Sequence, residues 1–383
     1  MTPAEKNPSI FLKTAPIILG TAMVQLAVGI NAVLFPVTLQ NLGYSKTLIG
    51  VCLSLDIVAV VIISRYLSAI IARVGIGRAL ILSTLIRGLC LYILSSSSHY
   101  AVWLICVFFF GMNTNIMLIS LQTWINTIPL KSNKGLVIGV FSSALSLGTA
   151  TGPVIANLTG TTGKLPFFVD LAIVGLTALP FILIYRWIPS IEAPPRPRIF
   201  YAIRMAKIFM FSSFVGGITF YGLPAFLTLY GMMNNLSIER SAFLISMFML
   251  GSITLGFLIA SVSDRVNRLS VIISCVFIGL LAAIYLPLAI YSYPQALVLL
   301  FIWGGVSGGI YATGLAKIGE LFRLEDQVSA NVAYSLMDCL GGVAGVLLIG
   351  AVMDLAGPDG LVYVILMAAI AYFIYTLSCY KID

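Results

Sequence analysis

The chain has 383 residues, 60% of them hydrophobic and 9% charged, with a mean hydropathy of +1.08. Soluble proteins average about 25% charged residues, which excludes an ordinary water-soluble enzyme. The net charge of +8 would suggest a nucleic-acid partner in a soluble protein, but in a polytopic membrane protein it is what orienting loops supply, and no nucleic-acid partner is expected. A hydrocarbon core roughly 30 Å thick takes about 20 apolar residues per helix. Taken in chain order, such runs predict twelve spans, over 15–39, 47–71, 79–96, 101–128, 135–158, 166–187, 206–232, 241–262, 269–291, 296–322, 328–353 and 360–380. A transmembrane barrel would alternate apolar and polar residues over about 10 positions, whereas these segments are apolar on all sides. The fold class is therefore all-α and polytopic, with the lipid bilayer as its medium, and no connection between spans is long enough for a soluble domain.

Cytoplasmic loops collect Lys and Arg near helix ends. Placing the N-terminus inside leaves Lys46, Lys164 and Arg240 on the outer side and Arg87 within the third span, so 17 of the 21 basic residues, Arg73, Arg78, Arg265 and Arg268 among them, fall inside. Both termini are thus expected in the cytoplasm, with a bacterial inner membrane as the location. The residues ahead of Phe11 carry no cleavable signal pattern, so the first span is expected to stay as an anchor. Cys52, Cys90, Cys106, Cys275, Cys339 and Cys379 lie in or beside apolar spans with no CxxC spacing. They read as small core residues, with neither a disulfide framework nor a metal site indicated.

The longest hydrophilic stretch, Arg186 to Lys207, interleaves prolines with Arg196, Arg198 and Arg204. It predicts an N-terminal six-helix bundle over 1–187, a linker over 188–205 and a C-terminal bundle over 206–383. The halves align at a shift of about 192 residues: Tyr44-Ser45 with Leu236-Ser237, Ala72-Arg73-Val74 with Asp264-Arg265-Val266, and Gly148 to Pro153 with Gly341 to Val346. Recurrence at half the chain length indicates an internal repeat.

On these residues the chain resembles the major facilitator superfamily over essentially its whole length. The loop Asp264-Arg265-Val266-Asn267-Arg268 is similar to that family's Asp-Arg-x-Gly-Arg signature; its first-half copy keeps Arg73, Gly75 and Arg78 but has Ala72 in place of the acid. Gly148xxxGly152-Pro153 is similar to the Gly-Pro motif of drug/proton antiporters, and is read as bending the fifth helix or letting it approach another. The run from Trp303 through Tyr311, Gly319-Glu320 and Tyr334 to Gly350 and Asp354 resembles the C-terminal half of the YcaD-like branch. The resemblance implies two pseudo-symmetric bundles, alternating access about a midplane site, and a cavity lined by the first, fourth, seventh and tenth spans. Polar and aromatic residues near mid-depth on those spans are Gln25, Asn31, Asn113, Asn115, Gln122, Tyr221, Trp303 and Tyr311, with Tyr230 a further candidate. Amides and aromatics with few charges suit a neutral, amphipathic or weakly cationic small-molecule solute; hydrogen bonding between helices is the competing reading of each residue.

A charge at the bilayer centre costs about 2.5 to 3.5 kcal/mol or more, which singles out Asp56, Arg87 and Asp338. Asp338 shares a helical face with Tyr334, Gly341, Gly342 and Gly345, a face that permits close packing, and it is expected to be the proton-coupling carboxylate unless it only pairs with a cation or caps a backbone. Asp56 and Arg87 are expected to form a buried ion pair; turned toward the cavity, Asp56 becomes a second coupling candidate. Asp264, with Arg265, Arg268, Arg73 and Arg78 around the inner rim, is expected to latch onto the N-terminus of the fifth helix near Lys134 and Gly135. His99, the sole histidine, lies in an outer loop and is not read as a proton relay.

These features predict a secondary transporter driven by a proton or other ion gradient, with no cofactor, working as a monomer, and biased toward efflux by antiport. The competing expectations are a proton-coupled importer of a nutrient or metal chelate such as a siderophore, and a non-transporting sensor or scaffold. An enzyme is not expected, since the sequence has no His-rich or HExxH site, and with no P-loop the energy is expected from an ion or solute gradient.

Overall fold

Backbone in hydrocarbon must satisfy its own hydrogen bonds, and helices do so segment by segment. The computed structural model describes residues 10–127, 134–183 and 199–380, and among them finds helices and no strand. The first half runs α1 (Ile10–Asn41), α2 (Lys46–Val74), α3 (Ile76–Leu94), α4 (Tyr100–Thr127), α5 (Lys134–Thr159) and α6 (Leu165–Leu183). After α7 (Ile199–Met205), the second half runs α8 (Lys207–Met233), α9 (Ile238–Ser263), α10 (Arg268–Ala289), α11 (Tyr293–Leu321), α12 (Leu324–Ala356) and α13 (Gly360–Tyr380). Eleven of the described helices are long and apolar enough to cross a membrane. The remaining predicted span corresponds to α5, whose 26 residues include Ser142, Ser143, Ser146, Thr149 and Thr151.

Helix starts recur between the halves. Ser45 caps α2 by accepting from Leu48 N at 3.3 Å, and its repeat partner Ser237 caps α9 by accepting from Arg240 N at 3.3 Å. Each serine satisfies a donor that the first turn leaves open. Between α2 and α3 the chain turns at Gly75, whose φ of 83° favours glycine; at the matching turn of the second half Asn267 instead caps α10 through Leu269 N and Ser270 N.

Close helix pairs also recur. A Cβ on Gly148 would meet the carbonyl of Ala22 and one on Gly152 the backbone of Gly29, so α5 lies backbone to backbone on α1. In the second half a Cβ on Gly341 would strike the Phe214 carbonyl and one on Gly345 the Ile218 carbonyl, which sets α12 on α8 the same way. Small residues let membrane helices approach this closely, and van der Waals packing then holds them. Across the halves, α12 packs on α2, α5 on α9 and α1 on α8.

The expected linker over 188–205 differs in part. Residues 184–198 lie outside the described residues, but 199–205 form α7, which docks on α12 with Ala202 buried beside Ala330, Ala333 and Tyr334. Ile199, Ile203 and Ala202 supply the apolar contact that a solvated linker lacks. Cys52, Cys90, Cys106, Cys275 and Cys339 are free thiols.

Candidate functional site

A cavity of about 1080 Å³ lies between α5 and the second half. Its walls come from Val140 to Ser146 on α5, Ser213 to Tyr221 on α8, Ser252 to Phe257 on α9, Ser307 to Ala312 on α11, and Asp338 on α12. Traced along each helix, these positions sit at mid-depth or toward the end where α1 begins and α13 finishes, called here the near end. Among the described residues of this lining Asp338 is the one that carries a charge, and it is 7% exposed. Tyr221 faces it from α8, with its ring over Gly342 and its hydroxyl directed at the carboxylate. Tyr311 lies close by and shares a 3.2 Å hydrogen bond with Ser335. The Tyr334 hydroxyl donates to the Ile310 carbonyl at 3.3 Å, and Ser213 Oγ donates to the Tyr334 carbonyl at 2.9 Å, tying α8, α11 and α12 together around the acid.

The amides expected in the cavity lie elsewhere. Asn31 is 5% exposed and donates to Ala27 O at 2.7 Å and to Asp170 Oδ2 at 2.8 Å. Asn113 is buried and donates to Phe109 O at 2.7 Å, while Gln25 reaches Thr149 Oγ1 on α5 at 3.3 Å. In these three the competing reading, hydrogen bonding within and between helices, describes the contacts seen. Asn115 and Gln122 on α4 are half-buried and exposed, and neither belongs to this lining. Trp303 is 1% exposed and packs toward Gly279 of α10, a core position rather than a cavity wall. Tyr230 is fully buried outside the same lining. Of the residues foreseen, Tyr221, Tyr311 and Asp338 come together. The serines at 142, 143, 146, 213, 252 and 307, with Phe220 and Phe257, complete the wall. The sequence does not mark the serines because small side chains inside apolar runs leave no signal, nor Phe220 and Phe257 because they belong to those apolar runs.

In the first half, Arg87 is fully buried and its guanidinium carbon sits 4.2 Å from the Phe110 ring centroid. The expected ion pair with Asp56 is not closed: among the described residues no carboxylate comes within ion-pair distance, and all three guanidinium nitrogens lack a hydrogen-bond partner. The acid acting most strongly on Arg87 is Asp170 of α6, with Asp56 second. Nothing in the sequence singles out Asp170, because it falls in the first turns of α6, where an acid looks interfacial. Asp56 is half-buried, lies against Gly111 of α4, and is not in the cavity lining.

The two ends of the molecule differ. At the far end Asp354 of α12 accepts hydrogen bonds from Lys46 N at 2.9 Å, Thr47 N at 2.7 Å and Thr47 Oγ1 at 2.6 Å, capping α2 from the other half. The repeat-related contact runs from Asn157 Nδ2 of α5 to the Glu239 carbonyl of α9 at 2.9 Å. At the near end Asp264 pairs with Arg268 at 2.8 Å, and Arg268 reaches Glu320 at 2.8 Å, which Lys317 also holds. Asp264 thus bonds within its own half rather than to α5; the side chains of Lys134, Gly135 and Ala72 lie outside the described residues. Arg73, Arg78 and Arg265 are exposed at this end.

A family model described as the Major Facilitator Superfamily matches residues 17–237 and 209–382. The MFS-type transporter YfkF of Bacillus subtilis, itself uncharacterized, is 22% identical over 300 residues, covering 75% of this chain and 76% of that one. The uncharacterized MFS-type transporter YcaD of Salmonella dublin is 23% identical over 375 residues, 95% of each chain. Among solved structures, the nucleoside transporter NupG superposes with a TM-score of 0.77 at 13% identity, covering 96% of this chain and 98% of that one. A bacterial homolog of the human lysosomal transporter Spinster superposes at 0.75 and 14% identity, covering 95% and 96%. At these identities the likeness to solved structures concerns the fold.

Proposed function

We propose that this chain, which belongs to the major facilitator superfamily and within it to the YcaD-like type, exchanges a small organic solute for protons at Asp338. Membership makes it a multi-pass membrane protein and a secondary transporter; the substrate chemistry, coupling and direction are what the proposal adds. The observation that carries it is that Asp338 is the solitary charge among the described residues of the cavity wall. An unpaired carboxylate at mid-membrane is costly, so Asp338 is neutralised either by a proton or by the charge of a bound solute. Two occupants that exclude each other at one group give exchange. Phe220, Tyr221, Phe257 and Tyr311 offer apolar and cation-binding faces, the serines offer neutral hydrogen bonds, and the lack of a basic residue among the described residues of the lining disfavours a strongly anionic solute. The preferred cargo is a monocationic amphiphile.

The basic near end is assigned to the cytoplasm of a bacterial inner membrane, with the protein acting as a monomer and the proton gradient driving efflux. Under this orientation the seal by Asp354 and Asn157 is external and the cavity faces inward. Asp264 then exchanges Arg268 for the first turn of α5 when the inner side closes, with Arg265, Arg73 and Arg78 lining the same rim.

Proteoliposomes with an imposed pH gradient test the proposal, using ethidium and a panel of other monocationic amphiphiles as probes. Solute and proton fluxes in opposite directions are expected, with coupling lost in Asp338→Asn. Independent fluxes, or coupling that survives in Asp338→Asn, refute the mechanism; fluxes in the same direction make the protein an importer.

A further inference from the structure

The first half contains an assembly of ionisable groups that the cavity does not use. Arg87 of α3 and Asp170 of α6 are both fully buried, and Asp56 of α2 is half-buried. Among the described residues, Arg87 has no hydrogen-bond partner at Nε or at either terminal nitrogen, and Asp170 has none at Oδ1. Asp170 Oδ2 accepts from Asn31 Nδ2 of α1 at 2.8 Å. The other groups facing this space are the thiols of Cys52, Cys90 and Cys106 from α2, α3 and α4, with Phe110 of α4 beneath the guanidinium. On its other side α2 meets α12, which presents Val346 to Gly50 and, nearer the far end, Gly350 and Asp354 to Lys46 and Thr47.

The formal charges do not balance: two carboxylates surround one guanidinium. Buried charges persist when compensated and are otherwise neutralised, so the set holds one further positive charge. The two acids are not equivalent. Asp170 is tied to α1 by the hydrogen bond from Asn31, and it is the leading electrostatic partner of Arg87. Among the described residues Asp56 accepts no such bond, and it is half-buried.

We propose that Asp170, held by Asn31, is the fixed counter-charge of Arg87, and that Asp56 carries an exchangeable proton, giving the first half an ion site separate from Asp338. The unfilled donors of Arg87 and the open Oδ1 of Asp170 are the polar atoms through which a proton relay to Asp56 would run. A small anion is disfavoured because the set is already net negative. A metal cation would lie against the guanidinium.

Infrared difference spectroscopy of the full chain in lipid nanodiscs tests this, carried out in an Asp338→Asn background so that the cavity acid contributes nothing. One protonated-carboxyl band, sensitive to deuterium and falling as pH is raised, is expected near neutral pH. Asp56→Asn should remove it. Asp170→Asn should remove it too, because Asp56 then becomes the counter-charge of Arg87. Asn31→Leu should retain one band at a shifted frequency. Absence of any such band in the Asp338→Asn protein overturns the proposal, as does a band that survives both aspartate substitutions. Displacement of the band by sodium chloride but not choline chloride also overturns it, since the occupant would then be sodium. Thermal unfolding of each variant confirms that a lost band is not a lost fold. None of these outcomes depends on whether Asp338 couples transport.

Discussion

Removing the Asp354 carboxylate should open the far end. Its three hydrogen bonds bind one half to the first turn of a helix in the other, so they exist only while that end is closed. A hydrogen bond to a charged acceptor contributes roughly 1.5–3 kcal/mol when shielded, but a charge at an exposed helix N-terminus contributes only about 0.3–1 kcal/mol. Asp354 is exposed, so solvent discounts the sum and Asp354→Ala should cost the closed end about 1–2 kcal/mol. That corresponds to a change of roughly 5- to 30-fold in the ratio of closed to open forms. Asp354→Asn, which keeps an acceptor without the charge, should fall between, and Thr47→Val, which removes one of three bonds, should shift the ratio a few-fold, on the order of 1 kcal/mol. Pulsed EPR distances between labels at Leu42 and Tyr291, both exposed near this end on opposite halves, report the populations. A distance distribution unchanged in Asp354→Ala would show that apolar packing between α2 and α12 holds the seal, and the reasoning would fail.

The remaining expectations concern packing and charge. Gly341→Val should lower stability by about 1–3 kcal/mol through overpacking, because its first added carbon meets the Phe214 carbonyl; Gly319→Ala, with open space around it, should be neutral or gain up to about 1 kcal/mol of helix propensity, and equal melting temperatures for the two variants would contradict this contrast. Arg87→Met should destabilise by about 3–5 kcal/mol, since it strands Asp170 without its counter-charge, and adding Asp170→Asn should recover most of the loss; a melting temperature unmoved by Arg87→Met would mean that the guanidinium contributes nothing. Asp264→Asn should leave solute binding intact while biasing the EPR populations toward the open near end; an unchanged distribution would confine Asp264 to its bond with Arg268.

What can be read from the sequence is whatever one helix carries by itself. The spans follow from apolar runs, their starts from Ser45 and Ser237, and the tight face of α12 from the spacing of Asp338, Gly341 and Gly345. What cannot be read depends on two helices at once. Asn31 has the character of a cavity amide until α6 brings Asp170 within 2.8 Å. Trp303 has that of a substrate-binding aromatic, but Gly279 on α10 leaves the space that buries it. Ser142 and Ser143 are ordinary in composition and matter because α5 turns them toward a cavity formed mostly by the other half.

The repeat explains why the ionisable groups fall where they do. At a shift of 192 or 193 residues, Asp56 corresponds to Phe248, Arg87 to Gly279, Phe110 to Trp303 and Gly111 to Gly304. The structure supports this register, since Gly111 lies on the backbone of Asp56 as Gly304 lies on the backbone of Phe248. The second half fills the volume between its third and fourth membrane helices with Trp303 over Gly279, whereas the first fills it with Arg87 over the smaller Phe110. Interiors pack at crystal-like density, so either solution closes the same gap, but only the guanidinium requires a compensating charge. Asp170 supplies that charge where the second half has Val362. Asp338 stands in the other bundle, where the neighbouring helices contribute glycine and tyrosine and no cation. The same architecture thus holds its acid beside a fixed cation in one half and leaves it unpaired against the cavity in the other, and the unpaired acid is the one whose charge a bound solute or proton must balance.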